Sequence, residues 1–151
     1  MEYINVLKGE LKKGISMVKD NIMKTELERK LKTATANEHC HANVMLLNDI
    51  SKRTSNREDY YVIYNHCMKK LSCRPEKWLK ILKSLFLIEH ILRTGNLKFA
   101  EHLKEDEYKI KSLFNFSYIE GRSDKGETSN YIYHIIYIYF IYSKRKIKIY
   151  C

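Results

Sequence analysis

Apolar residues recur at steps of three and four along most of this chain, and the residues that usually interrupt helices are scarce. The sequence contains one proline and five glycines in 151 residues. A sheet protein needs many tight turns, and such turns draw on glycine and proline. Steps of three and four instead place apolar side chains along one face of a helix. Because the length fits one ordinary domain, the two features predict a single all-helical domain with one core.

The first helical segment is predicted over residues 3–23. One face carries a run of apolar residues at helical spacing, and the other carries basic residues, among them Lys12, Lys13 and Lys19. This pattern predicts a basic amphipathic helix. The apolar positions are Ile4, Leu7, Leu11, Ile15, Val18 and Ile22.

A helical core is predicted over residues 25–120. Thr25 and Glu28 have the spacing of a capping box, so a second helix is predicted to begin at Thr25. Asn56 is expected to cap a later helix, and Pro75 falls where a first-turn proline is tolerated. The remaining segments are predicted at 44–53, after the Asn56 cap as far as Leu71, at 97–104 and at 108–116. The most apolar segment is predicted after Pro75 and through Trp78 to Leu92; it is ended by Gly95 and is expected at the centre of the core.

Residues 129–151 form a tail of different composition, which contains six of the twelve tyrosines. Tyrosine and isoleucine nearly alternate there, which favours a strand. A lone strand has no partner in a helical domain, so three alternatives are open: a helix imposed by tertiary contacts, a disordered tail, or pairing between molecules. The apolar stretch 131–142 is shorter than the roughly 20 residues of a membrane-spanning helix. We therefore do not interpret it as a transmembrane segment.

The charge balance favours an anionic partner. Lysine and arginine number 28 against 18 aspartates and glutamates, which gives a formal charge of +10. Such a field attracts anionic lipid, nucleic acid or acidic protein. The four cysteines are too sparse for a secreted disulfide scaffold, and no secretory signal opens the chain, so a reducing cytoplasmic setting is predicted.

Catalytic signatures are missing from the sequence, which predicts a protein that is not an enzyme and uses no cofactor. The nearest metal-like group combines residues 39–41 (His-Cys-His) with His66, Cys67 and Cys73, all of types that zinc accepts. Adjacent residues rarely point at one ion, and Cys67 falls on the apolar stripe of its helix. We interpret the group as buried thiols and surface histidines, with no metal site.

Lysines on separate predicted helices form a more informative set, namely Lys32, Lys70, Lys80 and Lys83. If they converge, they suit a multiply phosphorylated headgroup, whose oxygens accept several donors. The alternative is that each is an ordinary solvated surface residue.

Several motifs, in the correct order, resemble the ENTH (epsin N-terminal homology) domain family. Residues 30–37 (KLKTATAN) are similar to its K-V-R-x-A-T-x-N signature, and residues 78–95 (WLKILKSLFLIEHILRTG) follow its tryptophan-containing helix. Residues 69–71 (KKL) stand in place of its K-R-L, and residues 113–118 (LFNFSY) resemble L-K-D-F-x-Y. The resemblance covers about residues 12–127.

The resemblance implies a right-handed stack of helices, of the ENTH/VHS type, that binds phosphoinositides. It implies a first helix that becomes ordered on lipid and enters the headgroup layer, with Lys12, Lys13 and Lys19 as candidates for its basic residues. By motif position, the implied headgroup ligands are Lys32, Asn37, Lys70, Lys80 and Lys83. Because lysine replaces arginine at two of these positions and Glu76 replaces a lysine, the headgroup preference is open.

The implied function is a phosphoinositide-dependent docking module of an epsin-like endocytic or trafficking adaptor, cytoplasmic and peripheral on plasma membrane, endosome or Golgi vesicles. Its domain is predicted over residues 1–128, and the final amphipathic helix of the family is replaced by the tail, as expected of a truncated or mis-spliced product. Clathrin and adaptor partners would bind regions outside this chain. The alternative function is a helical protein-interaction scaffold without lipid binding. Nucleic-acid binding lacks a recognition motif and is not predicted.

Overall fold

The computed structural model describes residues 2–40, 43–120 and 123–124, together with His134 and Tyr137. These residues form a stack of helices, which confirms the predicted all-α fold. The helices are α1 (Glu2–Ala34), α2 (Val44–Arg53), α3 (Arg57–Leu71), α4 (Trp78–Thr94), α5 (Lys98–Glu105) and α6 (Glu107–Lys111). One 3-10 turn, Pro75–Lys77, precedes α4, and another, Ser112–Asn115, follows α6. A two-residue antiparallel ladder pairs β1 (Ile119–Glu120) with β2 (Ser123–Asp124).

Helix α1 is continuous, so the predicted division between a segment at 3–23 and a helix starting at Thr25 is wrong. The hydroxyl of Thr25 donates to the carbonyl of Asn21, 2.9 Å away, as a threonine inside a helix does, and does not cap a new helix. Only the last third of α1 is packed, through Leu27, Leu31 and Ala34. Residues 2–22, called the arm below, are exposed along their whole length.

Asparagine side chains start the next two helices. The Asn43 carbonyl oxygen accepts from the amide of Met45 at 2.9 Å. Asn56 accepts from the amides of Glu58 and Asp59, at 3.0 and 3.2 Å, which confirms its predicted capping role. The boundaries predicted for α2 are also confirmed, because this cap and the polar residues after Arg53 mark both ends clearly.

Helix α4 is the central helix of the core, as predicted. It packs against α1, α2, α3 and α5, since apolar residues surround most of its circumference. The core that it completes includes Leu27, Ile50, Ile63, Ile88 and Phe99, all fully buried. Burying a side chain of this size contributes roughly 1.5–3 kcal/mol.

The first four helices run alternately up and down, so their ends gather at two ends of the stack. Lys30 of α1 lies 3.8 Å from Asp49 of α2, whereas Arg53 of α2 reaches back to the Met23 carbonyl at 3.0 Å, so α1 and α2 are antiparallel. Arg53 also pairs with Asp59 in the first turn of α3, at 3.1 Å. The C-terminal ends of α1 and α3 therefore lie with the N-terminal ends of α2 and α4.

At the other end, Gly95 allows α4 to stop against α2. Its φ of −96° is open to any residue, so conformational freedom does not explain the glycine. The reason is space: a Cβ there would stand 2.8 Å from Ile91 Cγ2 and 3.0 Å from Thr54 Oγ1. The Asn96 amide also donates to Thr54 Oγ1, at 2.9 Å, so Thr54 cannot move away without losing a hydrogen bond.

The predictions for residues 129–151 lie outside the described residues, apart from His134 and Tyr137. Within the part that the structure describes, no helix combines the length and the apolar character needed to cross a bilayer.

We expect Gly95→Ala to lower the free energy of unfolding by about 1–3 kcal/mol, the usual cost of overpacking. Urea denaturation measures this change. Gly14→Ala is the matched control, because a Cβ there meets nothing within 4 Å. Equal effects of the two substitutions would contradict the steric explanation.

Candidate functional site

The packing of α3 against the end of α1 places a histidine among lysines. His66 of α3 lies with its Nε2 2.9 Å from the hydroxyl oxygen of Thr35, just after α1. The Thr35 hydroxyl gives its one hydrogen to the Leu31 carbonyl, at 2.9 Å, so it can only accept from His66.

The electrostatic environment keeps His66 uncharged at neutral pH. Burial is the largest cause that lowers its pKa, which falls from 6.5 to about 4. Lys70, Lys69 and Lys32 add to the lowering, in that order, because each opposes a further positive charge. Lys69 and Lys70 of α3 and Lys32 of α1 therefore all lie near the His66 imidazole.

Lys70 is a second group whose pKa is lowered by its surroundings. Burial lowers its pKa most, and the neighbouring charge of Lys80 on α4 is the next cause. Lys69 and Lys77 act in the same direction, while Cys73 opposes them. Lys70 therefore connects the end of α3 with the start of α4, which follows from the up-and-down order of the helices.

We call this set the cationic cluster: Lys32, Lys69 and Lys70 near His66, with Lys77 and Lys80 near Lys70. The ion pairs among the described residues, at Lys30, Arg53, Arg93 and Lys111, involve none of the five lysines. The cluster thus gathers like charges that form no ion pair among the described residues. Such a group of donors is complementary to a ligand with several negative oxygens.

Of the predicted ligands, Lys32 lies near His66, and Lys80 lies near Lys70. Lys83, predicted on the polar margin of its helix, is buried with 7% of its surface exposed. Asn37 is exposed in the loop after α1.

The basic residues of the arm lie far from the cluster. In a continuous helix, Lys13 stands roughly 28 Å along the axis from Lys32. Lys19 lines a cavity of about 530 Å³ at the opposite end of the packed part of α1. That cavity has mixed charge, because Asp20 and Asp59 also line it. Lys12, Lys13 and Lys19 therefore do not share the site of the cluster in this conformation.

Sequence reasoning missed His66, Lys69 and Lys77 as members of the site. The spacing of His66, Lys69 and Lys70 is i, i+3, i+4, which places all three on one face of a helix. That signal was present, but nothing in the local pattern indicates that Thr35, 31 residues away, lies opposite.

The predicted interpretation of the histidine and cysteine group is confirmed for Cys67, which is fully buried. Burial raises the pKa of its thiol to about 12. His39 and Cys40 are exposed. Across the described ranges, no three such side chains are placed to hold a metal ion.

Comparison with known proteins agrees with the geometry. The family profile of the ENTH domain matches residues 24–135. Epsin of Dictyostelium discoideum is 30% identical over 122 residues, which are 80% of this chain and 17% of that protein. The chain spans less than a fifth of each of the first curated relatives, with 17%, 11% and 18% covered.

Solved ENTH domains share the fold. The ENTH domain of epsin-2, in complex with phosphatidylinositol 4,5-bisphosphate, superposes with a TM-score of 0.70 at 23% identity, covering 74% of this chain and 80% of that one. The human epsinR ENTH domain gives 0.70 at 21% identity, with 82% and 97% covered. A stack of helices with a cationic end defines a class of helical binding modules. Within that class, the chain belongs to the ENTH domain family.

We expect the stability of the domain to fall as the pH is lowered from about 6.5 to 4, in part because of His66. Its pKa is lower in the folded than in the unfolded chain, so the unfolded chain takes up the proton first. Neutral His66 contributes at most about 3 kcal/mol to the free energy of unfolding. This contribution is fully present above pH 6.5 and is lost as the pH falls to about 4. Urea denaturation at pH 7 and pH 5 measures it.

His66→Gln is the control, because glutamine retains a donor for Thr35 and does not titrate. The variant should lose less stability between the two pH values than the wild type, and His90, whose pKa is also lowered by burial, contributes equally to both. Identical losses would show that His66 is not the titrating group.

Proposed function

We propose that this chain is a phosphoinositide-dependent membrane-docking module of an epsin-like endocytic or trafficking adaptor. The observation that carries the proposal is the cationic cluster, in which lysines from α1, α3 and α4, with Lys77 beside α4, lie near His66 or Lys70 and form no ion pair with a described residue. The relative of known structure with the same fold binds phosphatidylinositol 4,5-bisphosphate. We assign the headgroup ligands here to Lys32, Lys70 and Lys80, with Lys69, Lys77 and neutral His66 beside them.

The repulsion within the cluster favours a compact, multiply charged ligand. A bound phosphate cancels the like-charge contacts that disfavour the ammonium form of Lys70, so binding releases an unfavourable interaction. Each lysine near an anionic surface contributes about 1 kcal/mol. A single carboxylate offers too little charge for five lysines, and a nucleic-acid backbone spaces its phosphates along an extended groove, whereas the cluster is confined to one end of the stack.

The arm supplies a second docking element, which binds through apolar burial. Leu7, Leu11, Ile15, Val18 and Ile22 follow one face, and each is at least 45% exposed. A basic amphipathic helix of this kind lies in the headgroup layer with its apolar face inserted. Lys12 and Lys13 remain candidate lipid contacts there.

For the arm and the cluster to meet one bilayer, α1 bends near Met23, because the two elements lie at opposite ends of its packed part. The bend disrupts no core contact, since burial in α1 begins at Leu27. It breaks the bond from Arg53 to the Met23 carbonyl and a few helical hydrogen bonds. Each is worth about 1 kcal/mol, which inserted apolar side chains can offset.

The proposal places the chain on the surface of a membrane, as a non-catalytic binding module. Which organelle it serves, and which clathrin or adaptor proteins it joins, depend on parts of the relatives that this chain does not span. The domain is proposed to end near residue 128.

We expect the double substitution Lys70→Ala with Lys80→Ala to weaken binding to vesicles that contain phosphatidylinositol 4,5-bisphosphate by about tenfold to thirtyfold, because two contacts of about 1 kcal/mol are lost. Co-sedimentation with vesicles measures the affinity. Removing mutually repelling charges should not lower stability, so a folding defect would not explain a loss. Lys83 is left intact because it is buried.

The matched control is Lys98→Ala with Lys104→Ala, which removes the same charge from exposed positions on α5. It should weaken binding no more than about threefold, as expected for a long-range field that salt screens. Equal effects of the two pairs would reject a headgroup site and leave only nonspecific attraction.

We expect Leu11→Ser with Ile15→Ser to weaken binding to the same vesicles by tenfold or more, through lost apolar burial. The thermal unfolding temperature should remain unchanged, because neither side chain contacts the core. Lipid should also raise the helicity of the wild type in far-UV circular dichroism, since an unpacked helix frays in water. Unchanged binding and helicity would favour the protein-interaction scaffold.

A further inference from the structure

Two large apolar side chains are exposed at the start of α2. Val44 is 63% exposed and Met45 is 73% exposed, although they occupy the first turn of a well-capped helix. The Asn43 cap bonds directly to the Met45 amide, at 2.9 Å, so the turn that presents both side chains is fixed. Both apolar side chains are therefore presented to the surroundings by a turn that the cap holds in place.

The pair lies at the end of the stack that carries the cationic cluster. Lys30 Nζ of α1 lies 3.8 Å from Asp49 Oδ2 of α2. These two residues therefore lie at about the same height along the two antiparallel helices. Val44 precedes Asp49 by five residues, which moves it about 7 Å toward the C-terminal end of α1. Lys32 and the Thr35 partner of His66 lie at that level.

A second contact joins the same regions. The ring of His39, in the loop that leads to α2, stands 6.1 Å from the ring of Trp78, the first residue of α4. Lys77 and Lys80 flank Trp78 in the chain. The loop before α2 thus packs against the helix start that contributes lysines to the cluster.

The charges around the pair favour an anionic surface. The first turn of α2 contains no acidic residue, and the N-terminal end of a helix carries a partial positive charge. The five lysines of the cluster lie on the same end. An apolar pair beside a cationic patch is complementary to a bilayer with anionic headgroups, since the lysines bind phosphate and the apolar side chains enter the interface between lipids.

We infer that Val44 and Met45 form a second apolar contact with the bilayer, separate from the arm and beside the headgroup that the cationic cluster holds. This inference rests on the proposed function. It fixes the orientation of the domain, with the ends of α1 and α3 and the starts of α2 and α4 against the membrane. The contact needs no change in the packed helices.

The test is Val44→Ser with Met45→Ser, compared with the wild type in two binding measurements. One uses vesicles of phosphatidylcholine with phosphatidylinositol 4,5-bisphosphate, and the other uses soluble inositol 1,4,5-trisphosphate by titration calorimetry. We expect vesicle affinity to fall about tenfold, which corresponds to roughly two buried methylene groups. Affinity for the soluble headgroup should stay within about twofold, because the lysines are intact.

Leu97→Ser is the matched control, since Leu97 is 47% exposed at the opposite end of the stack, next to Asn96 and Thr54. Its vesicle affinity should equal that of the wild type. Undiminished vesicle binding by the Val44 and Met45 variant overturns the inference and leaves the proposed function intact. An equal loss for vesicles and soluble headgroup also overturns it, because the pair would then act through the headgroup site. Failure of the wild type to bind vesicles overturns both.

Discussion

The burial of α4 is the interaction on which the rest of the structure depends. Because apolar residues surround most of this helix, α1, α2, α3 and α5 all pack against it, and the first four helices alternate in direction. Alternation forces two C-terminal helix ends and two N-terminal ends together. The cationic cluster is a consequence of this arrangement, since its lysines lie within a few residues of those ends, although Lys32 is distant in sequence from the other four.

Like charges at one end of the stack repel one another and lower the stability of the fold. Two features of the structure limit this repulsion. His66 remains neutral because burial and three lysines lower its pKa, so one potential charge is absent at pH 7. Lys70 is only partly covered by neighbouring residues, which lets water screen its repulsion with Lys80. The free energy of burying the apolar core offsets the charge repulsion that remains. Sites that bind anions commonly keep such locally unfavourable interactions, because a ligand relieves them.

The sequence predicted those features whose signals are local. The bounds of α2, the Asn56 cap and the central position of α4 follow from caps and periodicity, which act within one helical turn. The division at Thr25 was wrong because a capping-box spacing also fits inside a helix, where Thr25 bonds to Asn21. The motif resemblance grouped Lys32, Lys70, Lys80 and Lys83, and of these the structure buries Lys83. The Thr35 to His66 contact is tertiary, so no local pattern indicates it.

Helix α1 has a packed part and an exposed part, and this difference connects the fold with the proposed docking. Its last third is held by Leu27, Leu31 and Ala34, whereas the arm is exposed along its whole length and depends on helix continuation. A packed helical turn removes the cost of nucleation, so the arm can extend from it even though a free peptide of that length is marginal in water. Arg53 marks the border, since it bonds to the Met23 carbonyl where burial ends. A bilayer can therefore reorganise the arm while the core and the cationic cluster stay unchanged.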